Sequence, residues 1–160
     1  MHADDLEKLI HRHGPGWRLL AAQWSENPDD CVQEAILRLI RQSPPPDEPA
    51  AWVFRVVRNL ALSEKRRAQT QRDHVEGVGL TKNQWSTPDP SLGLQLDEIQ
   101  AALKVLTDDL RTIVVGRIWG DITFEAIGKS LGYSTSKTHR MYDRALRLLG
   151  EKLQASSLID

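Results

Sequence analysis

Two stretches of this sequence combine basic side chains with hydroxyl, amide or aromatic groups, a combination suited to binding nucleic acid. The first, residues 51–72, has six basic residues against one acid, Glu64, and includes Trp52 and Phe54. Basic side chains bind phosphates, and aromatic rings stack on unpaired bases at about 1–3 kcal/mol per base. The second follows Ser134 and presents Thr135, Ser136, Lys137, His139, Arg140 and Arg144. Short polar and basic side chains at the start of a helix suit contacts in the DNA major groove.

A helix-turn-helix pattern contains the start of the second stretch. Apolar spacing predicts a short helix over Phe124–Leu131 and a long one over residues 134–154, with Ser134 as its cap. Gly128 would let the two helices touch, because it has no side chain. Gly132 suits a turn with a positive φ angle.

Each of these patterns has a purely structural alternative. Trp52 and Phe54 are spaced as core residues often are. The basic run at residues 65–67 could be a solvated helix end that interacts favourably with the helix dipole. The pattern around Gly128 could be a helical hairpin with a solvated polar face.

Apolar spacing also predicts the helices that would position the first stretch. One helix is expected over residues 28–42, with Asn27 as its N-cap, and a second over residues 49–69. The residues expected on their apolar faces are Val32, Ala35, Ile36, Leu39 and Ile40 in the first, and Trp52, Val53, Val56, Val57, Leu60 and Ala61 in the second. Glycine and proline predict breaks at residues 14–16 and 44–46.

Beyond residue 69 the helical period is lost until Leu92, where apolar residues resume at steps of three and four. Residues 70–92 are therefore expected to form a flexible linker. The predicted fold class is all-α, with two small helical domains over residues 1–69 and 93–160. The second is expected to be a four-helix domain that contains the helix-turn-helix.

Composition narrows the possible functions. The 160-residue chain has a formal net charge of −1, but residues 51–88 carry +4 and residues 123–160 carry +2. The single cysteine, Cys31, excludes an intramolecular disulfide and a cysteine-based zinc site. No nucleophile motif or glycine-rich phosphate loop is present, so we expect no enzyme, no metal and no cofactor. The sequence has no signal peptide and no apolar run of about 20 residues, which predicts a cytoplasmic protein without membrane insertion.

In combination, these segments resemble the extracytoplasmic-function (ECF) sigma factors of bacterial RNA polymerase. Residues 29–39, 51–61 and 65–67 resemble conserved region two, and residues 103–153 resemble region four. The resemblance implies a promoter-specificity subunit that binds core RNA polymerase and directs initiation at −10 and −35 promoter elements. It also implies an anti-sigma partner, and we expect a monomer when the protein is free.

The resemblance assigns roles residue by residue. The residues matching the helix that binds core polymerase are Asp30, Gln33, Glu34 and Arg38. Those matching the −10 side are Arg55, Arg58 and Asn59, with Lys65, Arg66 and Arg67 holding the DNA backbone. The residues that match the −35 reader are Thr135, Ser136, Lys137, His139 and Arg140, and Arg144 continues this basic face. The loop over residues 42–49 matches the segment that captures one extruded base.

Two other functions remain open at this point. One is a stand-alone dimeric helix-turn-helix regulator, which would bind a palindromic site without polymerase. The other is a sigma-like interaction protein that binds polymerase or an anti-sigma factor without reading promoters. Thr138 and Met141 depart from the family pattern and leave this second alternative open.

Overall fold

The computed structural model describes the backbone of residues 1–74 and 90–159, and the side chains of residues 1–72 and 97–154. All regular secondary structure in these ranges is α-helical, which confirms the predicted fold class. The chain divides into two compact units, residues 1–85 and 86–160. The proposed linker, residues 70–92, lies largely outside the described residues and stays a prediction.

The first unit is built from three helices that pack against one another: α1 (Ala3–Ala22), α2 (Pro28–Arg41) and α3 (Pro49–His74). Its core combines side chains from all three. The fully buried members are Trp17, Leu20, Ala21, Ala35, Val53, Phe54, Val57 and Ala61. Burial of each large apolar side chain stabilises the fold by about 1.5–3 kcal/mol, so this small core fixes the directions of α2 and α3.

Helix α1 continues through Gly14, Pro15 and Gly16, where the sequence predicted a break. A proline inside a helix removes one backbone hydrogen bond and usually kinks or ends the helix. Here Gly16 and Trp17 are buried, and the helix packs against both α2 and α3. Tertiary packing therefore overrides the local helix-breaking tendency of these residues.

The prediction that Ile40 lies in the core was wrong: its side chain is 58% exposed. The buried residues of α2 are Pro28, Cys31, Ala35 and Leu39, at steps of three and four. Because each helical residue turns by about 100°, Ile40 points well away from the face that Ala35 and Leu39 share. Half of the predicted stripe on α3 is fully buried, whereas Trp52, Val56 and Leu60 are half-buried.

The start of α2 differs in detail from its prediction. Asn27 occupies the N-cap position, but its side chain makes no capping hydrogen bond. Instead, the backbone N–H of Asn27 donates to Ser25 Oγ at 2.9 Å. The Ser25 hydroxyl in turn donates to the Glu64 carboxylate at 2.6 Å. The turn between α1 and α2 is thus fastened to α3 rather than closed by Asn27.

The second unit has four helices within the described residues, as predicted: α4 (Pro90–Leu103), α5 (Asp108–Ile118), α6 (Phe124–Leu131) and α7 (Thr135–Ile159). Its fully buried large apolar side chains are Leu103, Ile113, Val114, Val115 and Ile127. Thr107 caps α5 by accepting a hydrogen bond from the Leu110 backbone N–H at 3.3 Å. The Arg111 guanidinium donates to the Leu106 carbonyl at 3.1 Å and so ties the turn after α4 to α5.

The described residues contain neither a helix suited to cross a membrane nor a cluster of metal ligands. None of the helices there is both long and apolar enough to cross a bilayer. Groups of three or more His, Cys, Asp or Glu side chains arranged to hold a metal ion are also lacking in this part of the chain.

Candidate nucleic-acid interface

Helix α3 presents five of its six candidate DNA-binding side chains to solvent: Arg55, Asn59, Lys65, Arg66 and Arg67. The sixth, Arg58, is half-buried. Steps of four and seven place Arg55, Asn59 and Arg66 in one row along the helix. From Arg55 to Arg67 the helix rises about 18 Å, at 1.5 Å per residue, which matches about five nucleotides of a strand spaced by 3.4 Å. We call these six residues the α3 surface.

Glu64 is the one acid in residues 51–72, and two hydrogen bonds join it to the turn between α1 and α2 and to α2 itself. Its carboxylate accepts from the Ser25 hydroxyl at 2.6 Å and from the Cys31 thiol at 3.7 Å. Burial, together with the nearby negative charges of Glu64 and Asp30, raises the pKa of Cys31 above that of an ordinary thiol, although a hydrogen bond with Ser25 opposes this. Cys31 is therefore a poor nucleophile, and Glu64 is engaged on the inner side of α3.

The two aromatic residues near the start of α3 have different environments. Phe54 is fully buried, so the core interpretation is correct for this ring. Trp52 is only half-buried. Trp52 precedes Asn59 by seven residues, or about two turns. It therefore lies in the same row as Arg55 and Asn59, at the N-terminal end of the α3 surface. A partly exposed indole there is suited to stacking on an unpaired base.

Helix α2 carries the four residues predicted to bind polymerase. Asp30, Gln33 and Arg38 are exposed and Glu34 is half-buried. The Arg38 guanidinium donates to the Glu34 carboxylate at 3.0 Å, one helical turn away. Such an exposed pair contributes only about 0.3–0.5 kcal/mol to stability, so it adds little to the stability of α2.

Sequence reasoning missed two apolar residues on the exposed side of α2. Leu37 is 39% exposed and Ile40 is 58% exposed. They follow Gln33 by four and seven residues, which places all three on one helical face. The sequence already indicated that Leu37 and Ile40 are exposed, since neither residue lies three or four positions from both Ala35 and Leu39. Apolar side chains within a polar rim are typical of protein-binding surfaces. We call Asp30, Gln33, Glu34, Leu37, Arg38 and Ile40 the α2 surface.

The contact between α6 and α7 depends on Gly128, as the sequence predicted. A β-carbon at this position would lie 2.7 Å from Thr138 Oγ1 and 2.7 Å from the Tyr133 carbonyl oxygen. Gly132 ends α6 with a φ angle of +82°, a conformation that glycine adopts without strain. The Ser134 hydroxyl accepts from the Lys137 backbone N–H at 3.1 Å and caps α7. These features define a helix-turn-helix.

Thr138 departs from the family pattern without disturbing this motif. Its side chain is fully buried against Gly128, and its hydroxyl donates to the Ser134 carbonyl at 2.8 Å. Because the buried hydroxyl is hydrogen-bonded, the usual penalty for burying a polar group is largely avoided. The departure is therefore accommodated inside the motif.

All six candidate −35 residues are exposed on the first turns of α7: Thr135, Ser136, Lys137, His139, Arg140 and Arg144. Two are supported by aromatic rings. The Lys137 ammonium lies 4.4 Å from the ring centre of Tyr133, and the hydroxyl of Tyr133 donates to Asp109 on α5 at 2.5 Å. The His139 ring lies 4.9 Å from the Phe124 ring, and His139 Nδ1 is 3.4 Å from the Asp143 carboxylate. We call these six residues the α7 surface.

Comparison with known proteins assigns the two units to known conserved regions. Residues 3–71 match the family model Sigma-70 region 2, and residues 102–151 match Sigma-70, region 4. The ECF RNA polymerase sigma factor EcfG of Rhodopseudomonas palustris (strain TIE-1) is 32% identical over 118 residues, which span 70% of this chain and 65% of that relative. The chain therefore belongs to the ECF group of the sigma-70 family.

A solved structure extends the likeness of fold to nearly the whole chain. The sigma factor RpoE of Bartonella quintana, crystallised in complex with the anti-sigma factor NepR, matches with a TM-score of 0.67. The match covers 95% of this chain and 98% of that chain at 19% sequence identity.

Proposed function

We propose that this protein is a promoter-specificity subunit that binds core RNA polymerase in the cytoplasm and directs it to −10 and −35 elements. It contributes binding and no reaction of its own. The observation that carries the proposal is that each of two separately folded units presents an exposed basic helix. One unit matches region two, and the other matches region four and contains a helix-turn-helix.

In this proposal, the α2 surface docks on core polymerase. Leu37 and Ile40 supply apolar area that loses contact with water on binding, at about 25 cal/mol for each Å² buried. Gln33, Glu34 and Arg38 form a polar surround that sets orientation and association rate. Exposed apolar side chains surrounded by polar ones are what a partner helix or coiled coil recognises.

The α3 surface binds the −10 element. Asn59 offers an amide that can bond two atoms of one base edge, and Arg55 lies one turn before it. Trp52 extends the row with a ring that can stack on a base once the duplex has opened. The basic end formed by Lys65, Arg66 and Arg67 binds the phosphate backbone, which fixes the register of the DNA on the helix.

The α7 surface reads the −35 element in the major groove. Thr135, Ser136 and His139 are the side chains suited to base edges, and Arg140 and Arg144 suit guanines or phosphates. The exposed first turns of a recognition helix are the part that enters the groove.

An anti-sigma protein is the second proposed partner. The Bartonella quintana sigma factor of similar fold was crystallised with such a protein, and masking of the exposed surfaces would keep the subunit from polymerase and DNA. We expect the free chain to be monomeric, because neither its polymerase docking nor its promoter reading requires a second copy. A dimeric stand-alone regulator is not favoured, since such a regulator has no use for a region-two unit.

The test begins with size-exclusion co-elution of the full chain with core RNA polymerase. A template is then selected from a random-sequence library by run-off transcription with the resulting holoenzyme. The double variant Gln33→Ala/Ile40→Glu should lose co-elution. The double variant Arg55→Ala/Asn59→Ala should co-elute normally and lose open-complex formation by about tenfold or more, since each lost base contact costs about 1–3 kcal/mol. Ser63→Ala, an exposed residue of α3 outside the α3 surface, is the matched control.

The outcomes separate the three functions. Co-elution with transcription that depends on Arg55 and Asn59 supports the sigma subunit. Co-elution without any selected template would identify an interaction protein that does not read promoters. A folded, monomeric chain that binds no related core polymerase would overturn the proposal, and a folded dimer that selects a palindrome alone would identify the stand-alone regulator.

A further inference from the structure

One exposed cation of the second unit lies beside the α7 surface without belonging to α7. The Arg117 guanidinium lies 4.9 Å from the ring centre of Phe124. The same Phe124 ring lies 4.9 Å from the ring of His139 and 5.1 Å from the ring of Tyr142. Residues from α5, α6 and α7 thus meet at one phenyl ring, which contacts both Arg117 and His139.

Arg117 has no ion pair with an acidic side chain in the part of the chain whose side chains are described. A cation over a ring face is held in place by the attraction between its charge and the electrons of the ring. A guanidinium carries five N–H donors in its plane, and its attraction to the Phe124 ring comes from its charge and uses none of them as a hydrogen-bond donor to a phosphate. Arginine is the side chain best suited to bind a phosphate through such N–H groups.

The position of Arg117 relative to the helix-turn-helix points toward a DNA strand. Phe124 is the first residue of α6, the first helix of the motif. In helix-turn-helix complexes this first helix crosses the sugar-phosphate backbone while the second enters the major groove. The aligned backbone N–H groups at the start of α6 add a partial positive charge there. A cation fixed on Phe124 therefore lies where a phosphate passes.

We propose that Arg117 binds a backbone phosphate beside the −35 element, and that Phe124 positions both Arg117 and His139 for this contact. The inference rests on the proposed function of the α7 surface and adds a contact from α5 to it. Since a phosphate contact carries no sequence information, Arg117 contributes affinity and register, while His139 and its neighbours contribute base preference.

A competing explanation is that Arg117 only stabilises α5. It lies in the last turn of that helix, where a positive charge interacts favourably with the helix dipole. That role would affect unfolding but not the dependence of DNA binding on salt. The salt dependence therefore distinguishes the two roles.

The experiment measures binding of a fluorescein-labelled 40-base-pair duplex by holoenzyme assembled from the full chain and core polymerase. The duplex carries the sequence that wild-type holoenzyme selects from a random pool. Each phosphate contact contributes about 0.9 to the slope of log K against log salt concentration. Arg117→Ala should reduce the slope by about that amount and weaken binding about fivefold at 0.15 M salt, with unchanged base preference. Phe124→Leu should reduce the slope in the same direction.

Two further variants complete the test. Arg117→Lys should restore most of the slope, because lysine still binds phosphate as a point charge. Lys152→Ala removes an exposed cation from the same unit. It should not change the slope, since it lies fifteen residues beyond Lys137 along α7, or about 22 Å at 1.5 Å per residue.

The failure of this inference is distinguishable from failure of the proposed function. If holoenzyme selects a sequence and Arg140→Ala alters binding while Arg117→Ala leaves the slope unchanged, the phosphate contact is wrong and the sigma function stands. If the holoenzyme selects no sequence beyond what core polymerase selects, the proposed −35 reading is wrong, and the inference falls with it.

Discussion

The two basic surfaces of this protein are organised in different ways. On α3 the side chains follow one another along a single helix whose opposite face is the core of the first unit. On α7, Lys137 and His139 contact the rings of Tyr133 and Phe124, and the helix itself packs against α6 at Gly128. Tyr133, in the turn before α7, is in turn bonded to Asp109 of α5. A surface on one helix tolerates local changes, because its side chains depend little on neighbouring elements. A surface supported by three helices depends on every contact that holds those helices together.

This difference suits the DNA that each surface is proposed to bind. A melted strand is flexible and adapts to a row of cations and aromatic rings. A duplex major groove has fixed dimensions, so the helix that enters it must be held at a defined angle. The duplex, which is the more rigid form of DNA, is therefore matched with α7, the helix that has more support from its neighbours.

The prediction with the largest expected effect concerns α2. It tests whether residues of the α2 surface can be changed without loss of the stability that the core beneath them provides. Leu39, which is 3% exposed, and Ile40, which is 58% exposed, are neighbours on α2. Leu39→Ala should lower the free energy of unfolding by about 2–5 kcal/mol because it leaves a cavity. Ile40→Ala should change that free energy by less than about 0.5 kcal/mol and weaken co-elution with core polymerase. Urea unfolding followed by circular dichroism measures the free energy of unfolding of both variants, and size-exclusion chromatography measures co-elution.

A similar loss of stability in the two variants would contradict the independence of surface and core in the first unit. Normal polymerase binding by Ile40→Ala would remove Ile40 from the α2 surface.

The next prediction tests how strongly the α7 surface depends on the packing of α7 against α6. Gly128→Ala places a methyl group 2.7 Å from the Tyr133 carbonyl oxygen, a backbone atom that cannot turn aside. We expect a loss of about 1–3 kcal/mol in unfolding free energy, together with weaker binding to the selected −35 duplex. Hydrogen exchange should localise the loss of protection to α6 and α7.

Gly150→Ala is the matched control, since a β-carbon at this position of α7 meets nothing within 4 Å. It should leave DNA binding unchanged and stabilise the helix by up to about 1 kcal/mol. Equal behaviour of the two alanine variants would show that the motif does not need the close helix contact.

The prediction with the smallest expected effect compares the N-cap residues of one helix in each unit. Thr107 accepts a capping hydrogen bond at the start of α5, whereas the side chain of Asn27 makes none at the start of α2. Thr107→Ala should therefore cost about 1 kcal/mol, and Asn27→Ala should cost less than about 0.5 kcal/mol. Thermal unfolding of both variants measures the difference, and a larger cost at Asn27 would contradict the fastening of that turn through Ser25.

Local physics explains which features the sequence predicted well. Gly128, Gly132 and Ser134 were interpretable because the close contact, the positive φ angle and the cap each require a particular residue type. The four helices of the second unit and the all-α class followed from apolar spacing alone. The candidate residues on α3 and α7 were interpretable as exposed because basic side chains rarely enter a core.

The features that sequence reasoning missed depend on contacts between distant residues. The continuation of α1 through Pro15 depends on burial of Gly16 and Trp17 against other helices. The half-buried state of Trp52 depends on the packing of α3 within its unit. The aromatic support of Arg117 joins residues of three helices, and no spacing rule within one helix predicts it.

The separation of α7 into an exposed outer side and a buried Thr138 has an evolutionary consequence. The six residues of the α7 surface are exposed, while the residue that seats the helix against Gly128 is hidden among them. Substitutions on the outer side can therefore accumulate one at a time without loss of the fold. Under the proposed function, a duplicated gene for such a chain could acquire a new set of target promoters quickly, and an engineer could redirect it by the same route.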